Sequence, residues 1–247
     1  MIRTAVIIAG GEGSRLKPLS NNKPKAMVEI DGEPMLRWII RWLQSHGIQR
    51  LVLGVAFKKE KIISYMKANR NFGLSADISV HTLEGGTAQG FRLAISRFVQ
   101  DEDFVAMNCD EITNMNLGKL IRTHEAKRPL VTMALAPFHC RFSVVQTRPD
   151  GFIKGFKYGH ILEDAPVSIG IYAFRRRILE HLPETGSIEH AVFTPLSAQR
   201  KIAYHRLLPG EHWISVNDVK NVREVEENKA LFRSRPSRKS NRAFHIL

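Results

Sequence analysis

Residues 7–28, with the sequence IIAGGEGSRLKPLSNNKPKAMV, place a glycine-rich turn directly behind an apolar run, and Arg15 and Lys25 flank this turn. Backbone N–H groups exposed by such a turn can cradle phosphate oxygens. Arginine can bind two phosphate oxygens at once, whereas lysine supplies a compact point charge. These residues together predict a site that neutralises a triphosphate while its α-phosphorus is attacked.

The spacing within this turn excludes two common phosphate-binding motifs. No Lys-Ser or Lys-Thr pair follows the glycines, as the pattern G-x-x-x-x-G-K-[ST] requires. The run GGEGSR lacks the third glycine of the dinucleotide-binding fingerprint, and no helix begins directly after it. A solvated basic loop is the alternative interpretation, but the glycines and the cations occur together, which favours a phosphate site.

Two further groups follow predicted strands. The segment EGGTA (84–88) comes after the run ADISVHTL, and Asp110 comes at the end of the run DFVAMNC. In doubly wound sheets, ligands bind beyond the carboxyl ends of the strands. We therefore expect the glycine turn, residues 84–88 and Asp110 to converge on one crevice.

The elements that must position these groups alternate between strand and helix. Four apolar strand-like runs, each followed by a helical pattern, occupy residues 4–128. This alternation predicts an α/β fold with a doubly wound, Rossmann-like, mostly parallel or mixed sheet. The following residues, up to 227, read as short strands with turns and a final helix, which predicts a smaller mixed β extension.

The composition fits a globular chain. It is 43% hydrophobic and 25% charged, and no apolar run approaches the roughly 18 residues of a membrane-spanning helix. The first residues predict a strand and not a signal peptide. Cys109 and Cys140 have no metal-type spacing. We therefore expect a cytoplasmic protein without a membrane partner.

The formal net charge of +13 is unevenly distributed. Residues 228–247 contain six Lys or Arg residues and no acid, which is typical of a solvated extension. We therefore predict one domain over residues 1–227 and a basic, flexible tail over 228–247. We do not expect a nucleic-acid partner, because only the charge points to one, and the charge outside the tail suits a polyanionic small molecule equally well.

The segment AGGEGSRLKPLSNNKPKAMVEIDGEPML (9–36) resembles the signature of the sugar-phosphate nucleotidylyltransferases, G-x-G-[ST]-R-L followed by P-K. Later segments resemble further motifs of this family, in the family's order, over residues 3–227. These segments are EGGTAQG, VAMNCDE, RFSVV, DGFIKGF, VSIGIYAF and HWISVNDVKNVREVEE.

The resemblance implies specific roles at the nucleotide site. Arg15 would bind the β- and γ-phosphates, and Lys25 would bind the α-phosphate and the attacking phosphate. Asp110 would ligate Mg²⁺, with Asn217 as the second ligand and Asp218 as its nearest competitor. Eight residues would line the nucleotide: Ala9, Gly10, Gly11, Gly13, Ser14, Gly86, Thr87 and Ala88.

The acceptor side departs from the family pattern. Relatives often carry E-K-P where this chain has FKYGH (156–160), so Lys157 or Arg141 would have to replace the family's lysine. Gly170 lies in the motif VSIGIYAF and is a further candidate for contact with the acceptor. Glu189 is either an acceptor contact or an exposed residue at a helix start.

The resemblance implies a Mg²⁺-dependent enzyme that joins an NTP and a sugar 1-phosphate to give an NDP-sugar and pyrophosphate, acting as a monomer or homodimer. One alternative keeps this chemistry with a non-sugar phosphate or phosphonate acceptor. Another is a catalytically silent, nucleotide-sugar-binding regulatory protein, although intact Arg15, Lys25 and Asp110 argue against silence.

Overall fold

The computed structural model describes residues 2–139, 142–159 and 161–233. Its centre is a seven-stranded sheet. In spatial order the strands are β12 (Ile202–Arg206), β8 (Val131–His139), β11 (Ile161–Arg175), β6 (Asp103–Asn108), β1 (Thr4–Ile8), β4 (Arg50–Val55) and β5 (Ser75–Val80). β6, β1, β4 and β5 are parallel, whereas β11 runs antiparallel to both β6 and β8. The predicted α/β fold with a mixed sheet is confirmed.

Smaller elements complete the fold. Three two-stranded sheets pair β2 (Glu29–Ile30) with β3 (Glu33–Pro34), β7 (Glu111–Thr113) with β13 (Trp213–Ser215), and β9 (Val144–Thr147) with β10 (Ile153–Lys157). The helices are α1 (Met35–Ser45), α2 (Lys59–Ala68), α3 (Gly86–Phe98), α4 (Leu117–Lys127), α5 (Thr194–Ala198), α6 (Val219–Glu227) and α7 (Lys229–Phe232). Among the described residues, no helix has the length and apolar character needed to cross a membrane.

The central strand β1 explains why this sheet is buried on both faces. All five of its residues are buried, and neighbouring side chains along a strand point to opposite faces. Ala5 and Ile7 belong to the core that includes α1, whereas Val6 and Ile8 pack in the core with Phe91 of α3. A continuous run of aliphatic residues is therefore needed here, as in other parallel sheets covered by helices.

The register of the parallel strands decides where their ends meet. Ile8 pairs with Asn108 of β6 on one side and with Gly54 of β4 on the other. The loops that follow β1, β6 and β5 therefore leave the sheet at the same edge. This carboxyl edge carries the glycine turn and Asp110, as expected from the sequence.

The first residues of the predicted tail pack on the domain. Phe232 of α7 is buried, and the Asp31 carboxylate accepts hydrogen bonds from Lys229 Nζ and Arg233 Nη2, each at 2.7 Å. These two cations lower the pKa of Asp31. Residues 234–247 lie outside the described residues, so a flexible tail there stays a prediction.

Candidate active site

Four predicted residues meet at the carboxyl edge. Lys25 Nζ donates to Asp110 Oδ2 at 2.5 Å and to Asn217 Oδ1 at 2.8 Å. Arg15 Nη2 donates to the same amide oxygen of Asn217 at 2.9 Å. The sequence separation between Arg15 and Asn217 is 202 residues. The structure thus brings both predicted phosphate-binding cations and both predicted metal ligands together.

The glycine turn holds Lys25 in place through its backbone. Lys25 N donates to Gly11 O at 3.0 Å. Gly13 has a φ of 72°, and a Cβ atom there would lie 3.2 Å from the Cβ atom of Lys25. Ser20 Oγ donates to Gly13 O at 2.7 Å. Glycine at position 13 therefore suits both the left-handed backbone and the close approach of Lys25.

The Lys25–Asp110 pair is largely shielded from water, with side-chain exposures of 12% and 17%. Two backbone hydrogen bonds fix Asp110: Cys109 N donates to Ile8 O at 3.1 Å, and Val216 N donates to Asp110 O at 2.8 Å. Charges in such a site interact more strongly than charges in open water. The cluster is therefore well suited to stabilise the charge of a bound polyphosphate.

The donor set of the cluster fits a magnesium ion. Magnesium prefers oxygen ligands and usually keeps several waters, so one or two protein oxygens suffice. Asp110 Oδ2 and Asn217 Oδ1 already share one cationic nitrogen, Lys25 Nζ. No group of three or more His, Cys, Asp or Glu residues in the described part of the chain could hold a metal. A site of this composition would thus need phosphate and water oxygens as additional ligands.

A buried glutamate lies directly beside the cluster. Glu111 accepts hydrogen bonds from Trp213 Nε1 at 2.6 Å and from Ser215 Oγ at 3.3 Å. Its burial and the neighbouring Asp110 raise the pKa of Glu111 well above its usual range. Ser215 Oγ also accepts a hydrogen bond from Asn217 Nδ2 at 2.7 Å. Glu111 therefore helps to position β13 and, through Ser215, the side chain of Asn217 that follows it.

Gly170 lies against Glu111. The backbone of Gly170 has a φ of 67°, and a Cβ atom there would lie 2.8 Å from Glu111 Oε1 and 2.9 Å from Asn108 Nδ2. Of the predicted acceptor-side residues within the described part of the chain, Gly170 is the one that lies next to the cluster. A side chain at this position would displace Glu111 or Asn108.

A buried histidine, His81, packs against the glycine turn. His81 follows β5 and is 8% exposed, and a Cβ atom at Gly10 would lie 2.4 Å from its Nε2 atom. The ring also lies near Gly90 of α3, where a Cβ atom would be 3.4 Å away. Burial lowers the pKa of His81. The neutral ring therefore fills the space between the turn and α3.

A chain segment covers the start of α3. Ala88 N donates to Gly186 O at 2.9 Å, and Thr87 Oγ1 accepts a hydrogen bond from Ile188 N at 3.0 Å. A Cβ atom at Gly86 would lie 2.5 Å from Gly186 O. Contact of Gly86, Thr87 and Ala88 with a nucleotide stays a prediction; the hydrogen bonds described here for Thr87 and Ala88 go to residues 186–188.

A cavity of about 730 Å³ adjoins the cluster. Arg15, Asn217 and Asp218 contribute polar groups to its wall, while Phe138 and Val167 contribute apolar ones. Small-molecule sites commonly have volumes of about 300–1,000 Å³. This cavity could therefore admit part of a substrate next to the cations.

A family model described as Nucleotidyl transferase matches residues 4–230. The chain belongs to the nucleotidyl transferase family. The family named from the glycine turn and its later motifs is thereby confirmed, and the protein is an enzyme of this type.

This nucleotidyl transferase is 27% identical over 227 residues to the D-glycero-alpha-D-manno-heptose 1-phosphate guanylyltransferase of Aneurinibacillus thermoaerophilus, with 90% of this chain and 96% of that protein covered. It is 24% identical over 196 residues to the UTP–glucose-1-phosphate uridylyltransferase of Synechocystis sp., with 72% of this chain covered. The chain spans only 50–62% of the length of the latter and of several other related uridylyl- and guanylyltransferases.

Solved structures show the same fold. The crystal structure of HddC from Yersinia pseudotuberculosis superposes on this nucleotidyl transferase with a TM-score of 0.72 and 22% sequence identity. The superposed part includes 92% of this chain and 100% of the HddC chain. The crystal structure of HddC in complex with GMP-PN gives the same values. This chain therefore has the same fold as these solved structures.

The remaining predicted residues that the structure of this nucleotidyl transferase describes lie outside the cluster. Lys157 is exposed on β10, and its side chain makes no hydrogen bond or ion pair with any described residue. Glu189 is exposed and accepts a hydrogen bond from Ser187 Oγ at 2.5 Å. Arg141 lies outside the described residues. Ala9 is buried at the start of the turn, and Ser14 is exposed.

The sequence did not identify Glu111 and His81 as residues of the candidate site, because their positions depend on contacts between distant segments. Glu111 follows a predicted metal ligand, and only its pairing with Trp213, 102 residues away, shows that it points inward. His81 has no motif around it, and its place beneath Gly10 depends on strand order. The period-two alternation of a strand could have marked Glu111 as facing the same interior as Trp213.

Proposed function

We propose that this protein transfers a nucleotidyl group from an NTP to a sugar 1-phosphate, in nucleotide-sugar biosynthesis. The observation that carries the proposal is the meeting of Arg15, Lys25, Asp110 and Asn217 beside the glycine turn. The names of the relatives, which are guanylyl- and uridylyltransferases acting on sugar 1-phosphates, support it.

The proposed reaction needs charge neutralisation more than proton transfer. An acceptor phosphate oxygen is already ionised at neutral pH and can bond to the α-phosphorus directly. The bond between the α-phosphorus and its bridging oxygen to the β-phosphorus breaks, and pyrophosphate leaves with both electrons of that bond. Arg15 and Lys25 would reduce the repulsion between the two polyanions and hold them in line.

Asp110 and Asn217 would hold the proposed Mg²⁺, since their oxygens already share a cationic partner. When bound, this ion supplies additional neutralisation of the phosphate charges. Glu111 would keep Asn217 in place through Ser215. The chain's own contribution is thus a prearranged set of two cations and two oxygen ligands.

The acceptor could differ from a sugar phosphate. Lys157, the nearest substitute for the family's acceptor lysine, is exposed and unpaired among the described residues. This observation favours keeping a non-sugar phosphate or phosphonate as the second candidate acceptor. The assembled cluster argues against a silent regulatory protein. A cytoplasmic location and a monomeric or dimeric state stay predictions.

The test is pyrophosphate release from each of the four ribonucleoside triphosphates and dTTP, with Mg²⁺ and a panel of sugar 1-phosphates. One pair should release pyrophosphate, and Lys25→Ala and Asp110→Ala should abolish the release. Lys23→Ala is the matched control, because Lys23 lies in the same loop but pairs with Glu29 at 3.0 Å. Tight binding of one nucleotide without release from any pair would overturn the proposal in favour of the second acceptor class or a sensor.

A further inference from the structure

A second cavity, of about 590 Å³, lies at the edge of the sheet where β6 begins, opposite the carboxyl edge. The end of α4, the start of β8, the end of β11 and the start of β12 enclose it. Arg175 lines this cavity and pairs in register with Asp103, the first residue of β6. Asp110 follows the other end of this six-residue strand, so roughly 20 Å separates the cavity from the candidate active site.

The wall of this cavity is strongly basic. Its single carboxylate belongs to Glu180, whereas six cationic residues line it: Lys127, Arg128, Arg175, Arg177, Arg200 and Lys201. Arg175 pairs with Asp103 and Arg177 pairs with Glu180, each at 3.3 Å. The other four cations have no ion-pair partner among the described residues. Because the wall is concave, their positive potential is focused inward.

Two of the unpaired cations have a costly backbone conformation. Arg128 has a φ of 49° at the end of α4, and Arg200 has a φ of 55° after α5. Helices usually place glycine at such left-handed positions, because a Cβ atom is disfavoured there. Glycine would adopt this conformation at lower cost at both positions, so these two arginines can be replaced by glycine without straining the backbone.

The chain also holds these two segments together. Leu130 N and Val131 N both donate to Lys201 O, at 3.0 and 3.3 Å. This shared acceptor keeps Arg128 and Arg200 on neighbouring parts of the wall. Lys127 Nζ lies 5.9 Å from the ring centre of Tyr204, a distance at which the cation is attracted to the ring. These contacts hold the segments that carry the cations in place around the cavity.

We propose that this cavity is a second anion site, which binds a small molecule carrying a diphosphate group. A single phosphate ester carries about one and a half to two negative charges near neutral pH, which would leave a surplus among the four unpaired cations. Two linked phosphoryl groups match the cations better and offer oxygens on both sides to the two arginine forks. The volume admits such a ligand with an organic group attached.

The test measures the binding of inorganic pyrophosphate by calorimetry, without NTP or acceptor. The full chain with Lys25→Ala and Arg15→Ala serves as the background, so that binding at the candidate active site is removed. Adding Arg128→Gly and Arg200→Gly should weaken pyrophosphate binding at least about tenfold. The melting temperature should stay unchanged or rise, because glycine relieves the left-handed backbone at both positions.

Arg70→Gly is the matched control. Arg70 is exposed, has a φ of 49° and lies far along the chain from the cavity, so its replacement should leave pyrophosphate binding unchanged. Equal binding by the Arg128→Gly, Arg200→Gly protein and its background would overturn the proposal. Binding of a 20-nucleotide single-stranded RNA through these arginines, with no binding of pyrophosphate, would overturn it in favour of a nucleic-acid surface.

Discussion

Replacing Gly10 by alanine is expected to destabilise the protein by about 2 kcal/mol, because the new methyl group has no space. Its Cβ atom would lie 2.4 Å from His81 Nε2, 2.7 Å from His81 Cε1 and 3.0 Å from Ala56 Cβ. The His81 ring is buried and cannot swing into solvent without leaving a void. For a chain of this length, 2 kcal/mol corresponds to a fall in melting temperature of about 4–8 °C.

Gly11→Ala is the matched control for this prediction. The nearest atom to a Cβ at Gly11 is Lys25 Cβ at 3.9 Å, which is an ordinary contact. The free energy of unfolding should therefore change by less than about 0.5 kcal/mol. If Gly11 approaches the nucleotide as predicted, this variant should instead weaken NTP binding, so the two neighbouring glycines separate stability from ligand contact.

A double-mutant cycle identifies His81 as the obstacle. His81→Ala removes the ring, so Gly10→Ala should cost much less in that background, with a coupling energy of about 1–2 kcal/mol. Urea unfolding of the four proteins measures it. Equal losses for Gly10→Ala in both backgrounds, or an equal loss for Gly11→Ala, would refute the packing argument.

Three further predictions concern single residues. Gly170→Ala should lower the urea midpoint by an amount equivalent to about 2–3 kcal/mol, because it combines a left-handed backbone with a 2.8 Å approach to Glu111 Oε1; an unchanged midpoint would contradict the contact. Burial raises the pKa of the Cys109 thiol to about 12, so Cys109→Ser should not reduce the rapid reaction of native protein with a thiol reagent at pH 8, whereas it should remove one reactive thiol in denaturant. Burial lowers the pKa of His124 more than the neighbouring Asp103 carboxylate raises it. As the pH falls, His124 is therefore protonated in the unfolded chain before it is protonated in the folded protein. The contribution of His124 to the free energy of unfolding should be fully present above about pH 6.5 and should decline below that pH. His124→Gln should flatten the decline between pH 7 and 5 in thermal melts, and exposed His190→Gln should leave the slope as it is.

The sequence was sufficient to predict which residues meet at the centre of the candidate site. Arg15, Lys25 and Asp110 follow the ends of apolar runs, and parallel strands bring such ends to one edge whatever the details of packing. Asn217 was assigned from a motif near the end of the chain, and its amide oxygen lies 2.8 Å from Lys25 Nζ. Fold and central residues were thus predictable because local pattern and topology point to the same edge.

The surroundings of the site were less predictable, because they depend on contacts between distant segments. Gly186 O accepts a hydrogen bond from Ala88 N at the start of α3, and no local sequence pattern relates these two distant residues. His81 beneath Gly10 depends on β5 lying at the sheet edge, next to β4. Similarly, α7 packs on the domain because Lys229 pairs with Asp31, which lies in a turn. The basic composition of residues 228–247 alone did not predict this contact.

The 202-residue separation between Arg15 and Asn217 has a consequence during protein synthesis. The strands that frame the glycine turn can pair long before Asn217 is translated, since all of them precede residue 109. At translation rates of about 5–20 residues per second, roughly 10–40 s pass between the two residues. A nascent chain can therefore form the part of its sheet made by β1, β4, β5 and β6 well before Asn217 joins Arg15 and Lys25, so a polypeptide that stops short of residue 217 should lack the complete cluster.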